Sequence, residues 1–257
     1  MDTALIVTTY NQPQNLVLFF RSLQKQTQLP AELVVVDDGS DYRTRVVVDN
    51  WVHRFPFTVK YVWQPDVSFR AARARNLGVL TSSSDHIVFV DGDCLLPPSF
   101  IQNHRRLAHA GKLVAGGRYL LSKKTTKKIK QLCNQEILSN LFAGIKFLCL
   151  PLGPLRDLKG ENWTCARTCN LGLMRVDFEN IGGFDEAFVG WGREDSDLVV
   201  RSLRRGCSIR SGRLAACVAH IWHDKVSRSD LVSNEEAFQR TLASNHSDPV
   251  KTVLSSQ

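Results

Sequence analysis

The sequence predicts an α/β domain: a mixed, mostly parallel central sheet with helices on both faces. Three observations predict it. Short apolar runs alternate with longer runs of helical spacing over roughly the first hundred residues, the pattern of successive βαβ units. The apolar runs carry polar residues mainly at their ends, as strands covered on both faces do. The chain has 257 residues, 43% of them in the apolar set, enough for one large domain or two small ones with a substantial core.

Taken in order, "ALIVTTY" is a buried strand running into Thr9, Tyr10 and Asn11. "NLVLFFRSLQKQ" is a helix, with Leu16, Phe19, Phe20 and Leu23 on one face. "ELVVVDDGS" is a second strand stopped by a turn, "RTRVVVDNWVHRF" a helix and "TVKYVWQ" a third strand. "RAARARNLGVLTSS" is a helix with Ala and Leu inward, and "HIVFVDGDC" a fourth strand. The crossovers are expected to be right-handed. "SFIQNHRRLAHAG" reads as a helix ending at Gly111, and "KLVAGGRYLL" as another strand.

The alternation then stops. Residues 122–160 form an insert, first basic and then apolar, that ends at Pro151 and Pro154. Residues 161–224 hold short elements, a helix beginning in "GWGREDSDL" and a last strand, "RLAACVAHIWH". The polar tail, 225–257, is expected to be a peripheral helix or poorly ordered.

Composition narrows the partners. The formal charge is +8, which directs attention to nucleic acid, an anionic membrane surface or a phosphorylated small molecule. No zinc finger or aromatic RNA-binding repeat accompanies the basic residues, so nucleic acid is not expected. They concentrate in "KKTTKKIK" (Lys123 to Lys130) and "RSLRRG" (Arg201 to Gly206). Both suit a solvated surface, and the insert also suits peripheral contact with an inner-membrane face. There is no run of eighteen apolar residues and no basic, apolar leader at the N-terminus. The seven cysteines are scattered and odd in number; Cys165 and Cys169 lack a second pair to complete a zinc site. Reduced thiols in a cytoplasmic protein are the expectation.

Ligands of open α/β sheets sit beyond the carboxyl ends of the strands, and the unusual polar residues gather there. Strand ends deliver Thr9 and Tyr10, then Asp37 and Asp38, then Asp91 and Asp93, and finally His220. In "FVDGDC" two carboxylates lie side by side and repel unless a cation joins them. Mg2+ or Mn2+ bound to a diphosphate fits, because hard ions take carboxylate and phosphate oxygens together. No phosphate-binding G-x-x-x-x-G-K-[ST] loop and no G-x-G-x-x-G is present. A nucleotide must therefore be held by side chains, with Asp37 or Asp38 on base or ribose and at least one of Arg70, Arg73 and Arg75 turned to the site. In "GWGREDSDL" three carboxylates open a helix. Capping and the helix dipole account for part of that charge.

"IVTTYN", "VVVDDGS", "ARNLG", "VFVDGDC" and "GGFDEAFVGWGREDSDLVVRSLRRG" occur in the order found in glycosyltransferase family 2, and over residues 3 to 223, apart from the insert at 122–160, the chain resembles that family. Its second half is similar to the galactosyltransferase-type C-terminal region with a W-G-x-E-D-x-D block. The resemblance implies a GT-A fold, with residues 1–121 binding the donor and 161–224 holding the acceptor and the catalytic groups. It implies that Asp93 is a metal ligand, with Asp91 a ribose or metal neighbour. Asp37 and Asp38 become uridine contacts, and Thr9 and Tyr10 line the donor pocket. Arg75, or Arg70 in its place, is the basic donor residue. His220 completes the metal shell, with His223 a second choice. Asp195 is the base, Glu194 orients the acceptor and Trp191 offers a face to a sugar ring. Asp197 is expected to be a helix-start charge, and Asp185 and Glu186 to hold a turn. The implied activity is metal-dependent, inverting transfer from a nucleotide-diphosphate sugar, UDP-linked by expectation. The acceptor would be a surface glycan or glycolipid such as lipopolysaccharide core, capsule or O-antigen. A sugar-phosphate nucleotidyltransferase would want a Gly-rich basic loop after the first strand, and a non-catalytic binding protein would not need Asp93, Asp195 and His220 together.

Overall fold

Successive residues of the first strand divide between two cores. Leu5 and Val7 join Leu33, Val35, Val88 and Val90 on one face, while Ile6 joins Val34, Val36, Ile87 and Phe89 on the other. The two-residue period of a strand produces this split, and both faces must be apolar because helices cover both. The computed structural model describes residues 1–132, 135–144, 156–158, 163–224, 230–244 and 246–256.

The elements run β1 (Thr3–Thr9), α1 (Pro13–Leu23), β2 (Glu32–Asp37), α2 (Tyr42–Val52), β3 (Thr58–Trp63), α3 (Ala71–Thr81) and β4 (His86–Asp91). Then come β5 (Cys94–Leu95), α4 (Phe100–Leu107), β6 (Lys112–Leu120), α5 (Lys123–Leu132) and α6 (Gln135–Gly144). The second half adds β7 (Asn170–Met174), α7 (Arg175–Asn180), α8 (Glu194–Arg204), β8 (Ser208–His220) and α9 (Leu231–Ala243). Among the described residues the sheet has eight strands in the order β3-β2-β1-β4-β7-β6-β8-β5. β1 to β4 pair parallel, β7 runs antiparallel between β4 and β6, β6 and β8 are parallel, and β5 is antiparallel on β8. The expected α/β architecture is present.

Helices α1 and α2 place Leu16, Phe19, Phe20 and Trp51 against one face. Helices α3, α7 and α8 place Ala72, Val79, Phe178, Leu198 and Val199 against the other. The helix expected to reach Gly111 ends at Leu107. Gly111 instead makes a turn at φ +73°, where its N–H donates to Asp177 at 2.8 Å.

Two segments beyond the regular alternation pack onto the domain. The insert is tied to the sheet edge: Ile129, Leu138 and Phe142 pack with Leu95, Ala219 and Ile221, because a two-residue edge strand leaves apolar surface to cover. Its continuation through Pro151 and Pro154 lies outside the described residues. The described part of the tail includes the helix α9, which is anchored on α8. Phe238 of α9 is fully buried with Phe188 and Val200, and burial of such a ring contributes on the order of 2 kcal/mol.

Candidate active site

Asp91 and Asp93 reach the carboxyl edge of the sheet on a tight turn. Gly92 N–H donates to the Thr8 carbonyl at 2.8 Å, and a Cβ on Gly92 would stand 3.1 Å from that oxygen. Thr8, opposite Asp91 in the β1–β4 register, donates its hydroxyl to Asp91 Oδ1 at 3.2 Å.

Asp93 meets both histidines. β5 pairs Cys94 with His220, which sets the end of β8 beside the Asp-Gly-Asp turn. His220 Nε2 is 3.4 Å from Asp93 Oδ1, and His223 Nε2 is 3.5 Å from Asp93 Oδ2. Each Nδ1 faces a backbone carbonyl, Ile221 O at 2.9 Å and Asp224 O at 2.7 Å. With the proton on Nδ1, each ring donates to its carbonyl and turns the Nε2 lone pair toward Asp93, the arrangement metal-bound histidines use. The donor set of one carboxylate and two imidazoles fits a divalent cation. The Cys94 thiol belongs to the same group, its sulfur within 4.8 Å of ligand atoms of Asp93 and His220. Burial pushes the Asp93 carboxyl above its ordinary range, and the neighbouring histidine His220 opposes that shift.

The second charge centre is Arg75, placed by α3. Its guanidinium donates to Glu194 Oε1 at 3.1 Å and to Asp91 Oδ1 at 3.3 Å. Burial alone would lower its pKa, but the carboxylates of Asp91, Glu194 and Asp195 outweigh burial and raise it. Of the three arginines, the structure brings this one to the site. Arg73 pairs with Glu186 at 3.2 Å. Arg70 uses its N–H on Asp38 Oδ2 at 2.7 Å and its guanidinium on the Pro65 carbonyl.

Glu194 and Asp195 open α8. Arg193 sits before them with φ +76°, held in that left-handed conformation by an ion pair to Glu235 at 2.6 Å and by the rings of Trp163 and Phe238. Gly190 has φ +85°, and a Cβ there would collide with Asp230 at 2.3 Å. Glu194 is buried, whereas Asp195 and Trp191 are half-buried. Burial first and Asp195 second push the Glu194 carboxyl up, with Arg75 pulling it down. Asp197 is structural: it is buried against Arg201 at 2.8 Å and accepts from Thr241 at 2.8 Å. Asp185 and Glu186 hold the C-terminal tail through the N–H groups of Val250, Lys251 and Val253.

The expectation for Asp37 is corrected. It is fully buried and accepts from Tyr61 O–H and from Ser40 N–H, both at 2.7 Å, so it braces the end of β2 instead of meeting a base. Asp38 is nearer the edge, held by Gln64 and by the Arg70 N–H; burial raises its pKa against those hydrogen bonds. Thr9 is buried beside it, its carbonyl accepting from Asp38 N–H at 3.0 Å. Tyr10 is exposed and donates to Asp66 at 3.0 Å. Sequence reasoning missed Thr8, Tyr61 and Gln64. Their only signal was position at strand ends, which many structural residues share.

Known proteins resemble this chain in sequence and in fold. A model described as glycosyl transferase family 2 matches residues 4–179, and one described as the N-terminal domain of galactosyltransferase matches residues 156–224. The chain is 31% identical over 227 residues to validoxylamine A glucosyltransferase of Streptomyces hygroscopicus subsp. limoneus, covering 82% of this chain and 49% of that protein. It is 26% identical over 230 residues to chondroitin synthase of Escherichia coli, covering 81% and 33%. The chain thus spans about half, or less, of the length of these curated relatives. Among solved structures, S. aureus TarS 1-349 in complex with UDP-GlcNAc has a TM-score of 0.66 at 16% identity, covering 94% of this chain and 66% of that one. The mannosyltransferase PcManGT from Pyrobaculum calidifontis, in complex with GDP-Man and Mn2+, has a TM-score of 0.64 at 16% identity, covering 94% and 63%. These structures share the fold, the GT-A fold expected from the sequence. Because the first family match covers more than half of its length, the chain belongs to glycosyl transferase family 2.

Proposed function

We propose that this protein transfers a sugar from a nucleotide-diphosphate donor, UDP-linked, to an acceptor hydroxyl with inversion at the anomeric carbon. The observation that carries the reading is the pair of histidines turned onto the two oxygens of Asp93, within a site that also holds the carboxylates of α8. A divalent cation, Mn2+ or Mg2+, held by Asp93, His220 and His223, would neutralise charge on the departing diphosphate.

This chain's own residues supply the rest. Asp38, nearer the edge than Asp37 and braced by Gln64 and the Arg70 N–H, is the side chain assigned to the nucleoside, with Thr9 and Tyr10 lining the same edge. Asp91 lies between Thr8 and Arg75, fixed in position for a ribose hydroxyl or the cation. Arg75 holds Glu194 to the donor half, so the groups that orient the acceptor are placed relative to the donor. Asp195, half-buried at the start of α8, takes the proton of the attacking hydroxyl. Direct attack on the face opposite the leaving group inverts the centre and needs no covalent intermediate. Trp191 offers a flat apolar face to the acceptor sugar.

The acceptor we infer is a growing surface glycan or glycolipid, such as lipopolysaccharide core, capsule or O-antigen, met at the cytoplasmic face of the membrane. In support, a relative 28% identical over 236 residues is named O-antigen biosynthesis protein RfbC of Myxococcus xanthus, although this chain covers only 17% of it. Lys124, Lys127, Lys128 and Lys130 stand exposed on α5, a cationic surface suited to anionic lipid. Among the described residues no helix is long and apolar enough to cross a membrane. A panel of nucleotide sugars, assayed for metal-dependent release of nucleoside diphosphate, tests the reading. Slow donor hydrolysis without acceptor is expected for one UDP-sugar, and no release from any donor would make the chain a binding protein.

A further inference from the structure

The insert lies against the segment that carries the two histidines. Strand β6 ends at Leu120, and the N–H of the next residue, Leu121, donates to the His220 carbonyl at 2.9 Å. Helix α5 starts immediately afterwards, with Ser122 Oγ capping the Thr125 N–H at 3.1 Å. One turn in, the Thr126 hydroxyl oxygen accepts the backbone N–H of Trp222 at 3.0 Å. The Lys123 ammonium lies over the Trp222 ring, 4.6 Å from its centroid. Thr126 and Ile129 are the buried residues of this helix, and Ile129 packs with Ala219 and Ile221. On the other side of the same segment, Ile221 N–H donates to the Asp93 carbonyl at 2.9 Å.

Trp222 therefore stands between two tethers. Asp93 and Leu121 fix the chain at Ile221 and His220, and α5 fixes it at Trp222. The next residue is His223, which has left β8 and whose side chain is one-third exposed. Its ring meets Asp93 at 3.5 Å and the His220 ring at 5.2 Å between centroids, and the backbone that delivers it there is set by where Trp222 is held. A metal ligand at the end of a free segment binds weakly, because ordering it costs backbone and side-chain entropy. A hydrogen bond and a cation–π contact to the preceding residue reduce that cost before any cation arrives.

We propose that Thr126 and Lys123 are positioning residues for the cation site, holding Trp222 so that His223 Nε2 is set against Asp93. The insert then contains two functional groups of residues: Lys123 and Thr126, which meet Trp222, and the exposed Lys124, Lys127, Lys128 and Lys130. This inference rests on the reading of Asp93, His220 and His223 as cation ligands.

The experiment measures two quantities in the full chain: Mn2+ affinity by EPR titration, and the imidazole resonances of His220 and His223 by NMR in metal-free protein. Thr126→Val removes the acceptor and keeps the shape. It should weaken Mn2+ binding by about 10-fold, as loss of an outer partner of a ligand does, and it should shift the His223 resonances. Lys123→Gln should act in the same direction, and Thr126→Ser should restore both readouts. The combined change of Lys124, Lys127, Lys128 and Lys130 to Gln should leave both unchanged. Unaltered His223 resonances and parental Mn2+ affinity in Thr126→Val would overturn the proposal, as would equal effects from Thr126→Ser and Thr126→Val. Should the parent fail to bind Mn2+, the cation-site reading fails and the positioning proposal falls with it, while the metal-free resonances still report whether Thr126 orders His223.

Discussion

Arg75 and Glu194, 119 residues apart in the chain, form a buried ion pair at 3.1 Å across the two halves of the sheet. The same guanidinium reaches Asp91 at 3.3 Å. One side chain thereby links the end of the strand that carries the Asp-Gly-Asp turn with the first residue of α8. Removing one member of a buried pair leaves an uncompensated charge. Arg75→Met should cost roughly 3–5 kcal/mol in chemical denaturation, and adding Glu194→Gln should recover part of the loss. Simple additivity of the two changes in a double-mutant cycle would show that the pair is not coupled.

Asp195→Asn keeps the size of the side chain and removes the proposed base. Transfer should fall by about 100-fold or more, with nucleotide binding retained because the donor edge lies on other strands. A folded Asp195→Asn protein with kcat within a few-fold of the parent would remove Asp195 from the mechanism. Glu194→Gln should instead raise acceptor KM and lower the rate together.

Asp93→Ala should abolish stimulation of donor hydrolysis by Mn2+, since both histidines then lose the carboxylate they face. His220→Ala and His223→Ala should each weaken metal affinity, because the two Nε2 atoms stand at nearly equal distances from Asp93, 3.4 and 3.5 Å. Undiminished turnover in EDTA would contradict the cation site altogether.

Changing Lys124, Lys127, Lys128 and Lys130 to Gln should reduce salt-sensitive binding to anionic vesicles by roughly 1 kcal/mol per lysine, while donor hydrolysis stays intact. A parent protein that does not sediment with such vesicles would refute the membrane-facing role of the insert.

Acid should destabilise the fold through two buried imidazoles. Burial first, then the neighbouring His104 and Arg105, lowers the His86 pKa to about 3; burial lowers that of His104 to about 4, against a hydrogen bond with Asn170. Both rings stay neutral in the folded protein while the unfolded chain takes up protons below about 6.5. Their stabilising contribution is therefore complete above about pH 6.5 and declines as pH falls toward 4 and then 3. Urea midpoints measured from pH 7 to pH 4 should fall, and His104→Asn should flatten the slope. An unchanged slope in a folded His104→Asn protein would place the acid sensitivity elsewhere.

The strands, their order of appearance and the polar residues at their ends were legible in the sequence by itself, because hydrophobic periodicity is a local property that the folded sheet must satisfy. Asp91, Asp93, His220 and the α8 carboxylates were legible as a set for the same reason: each ends or begins a regular element. Only the tertiary structure decided which charges meet. It selected Arg75 from three arginines, turned both His220 and His223 onto Asp93, drew Asp37 inward to Tyr61, and packed the insert and Phe238 into the body of the domain. The physical reason is that an ion pair or hydrogen bond depends on separation in space. That separation is set by sheet order, by a two-residue edge strand on β8 and by the approach of α3 to α8, none of which leaves a periodic trace in the residues themselves.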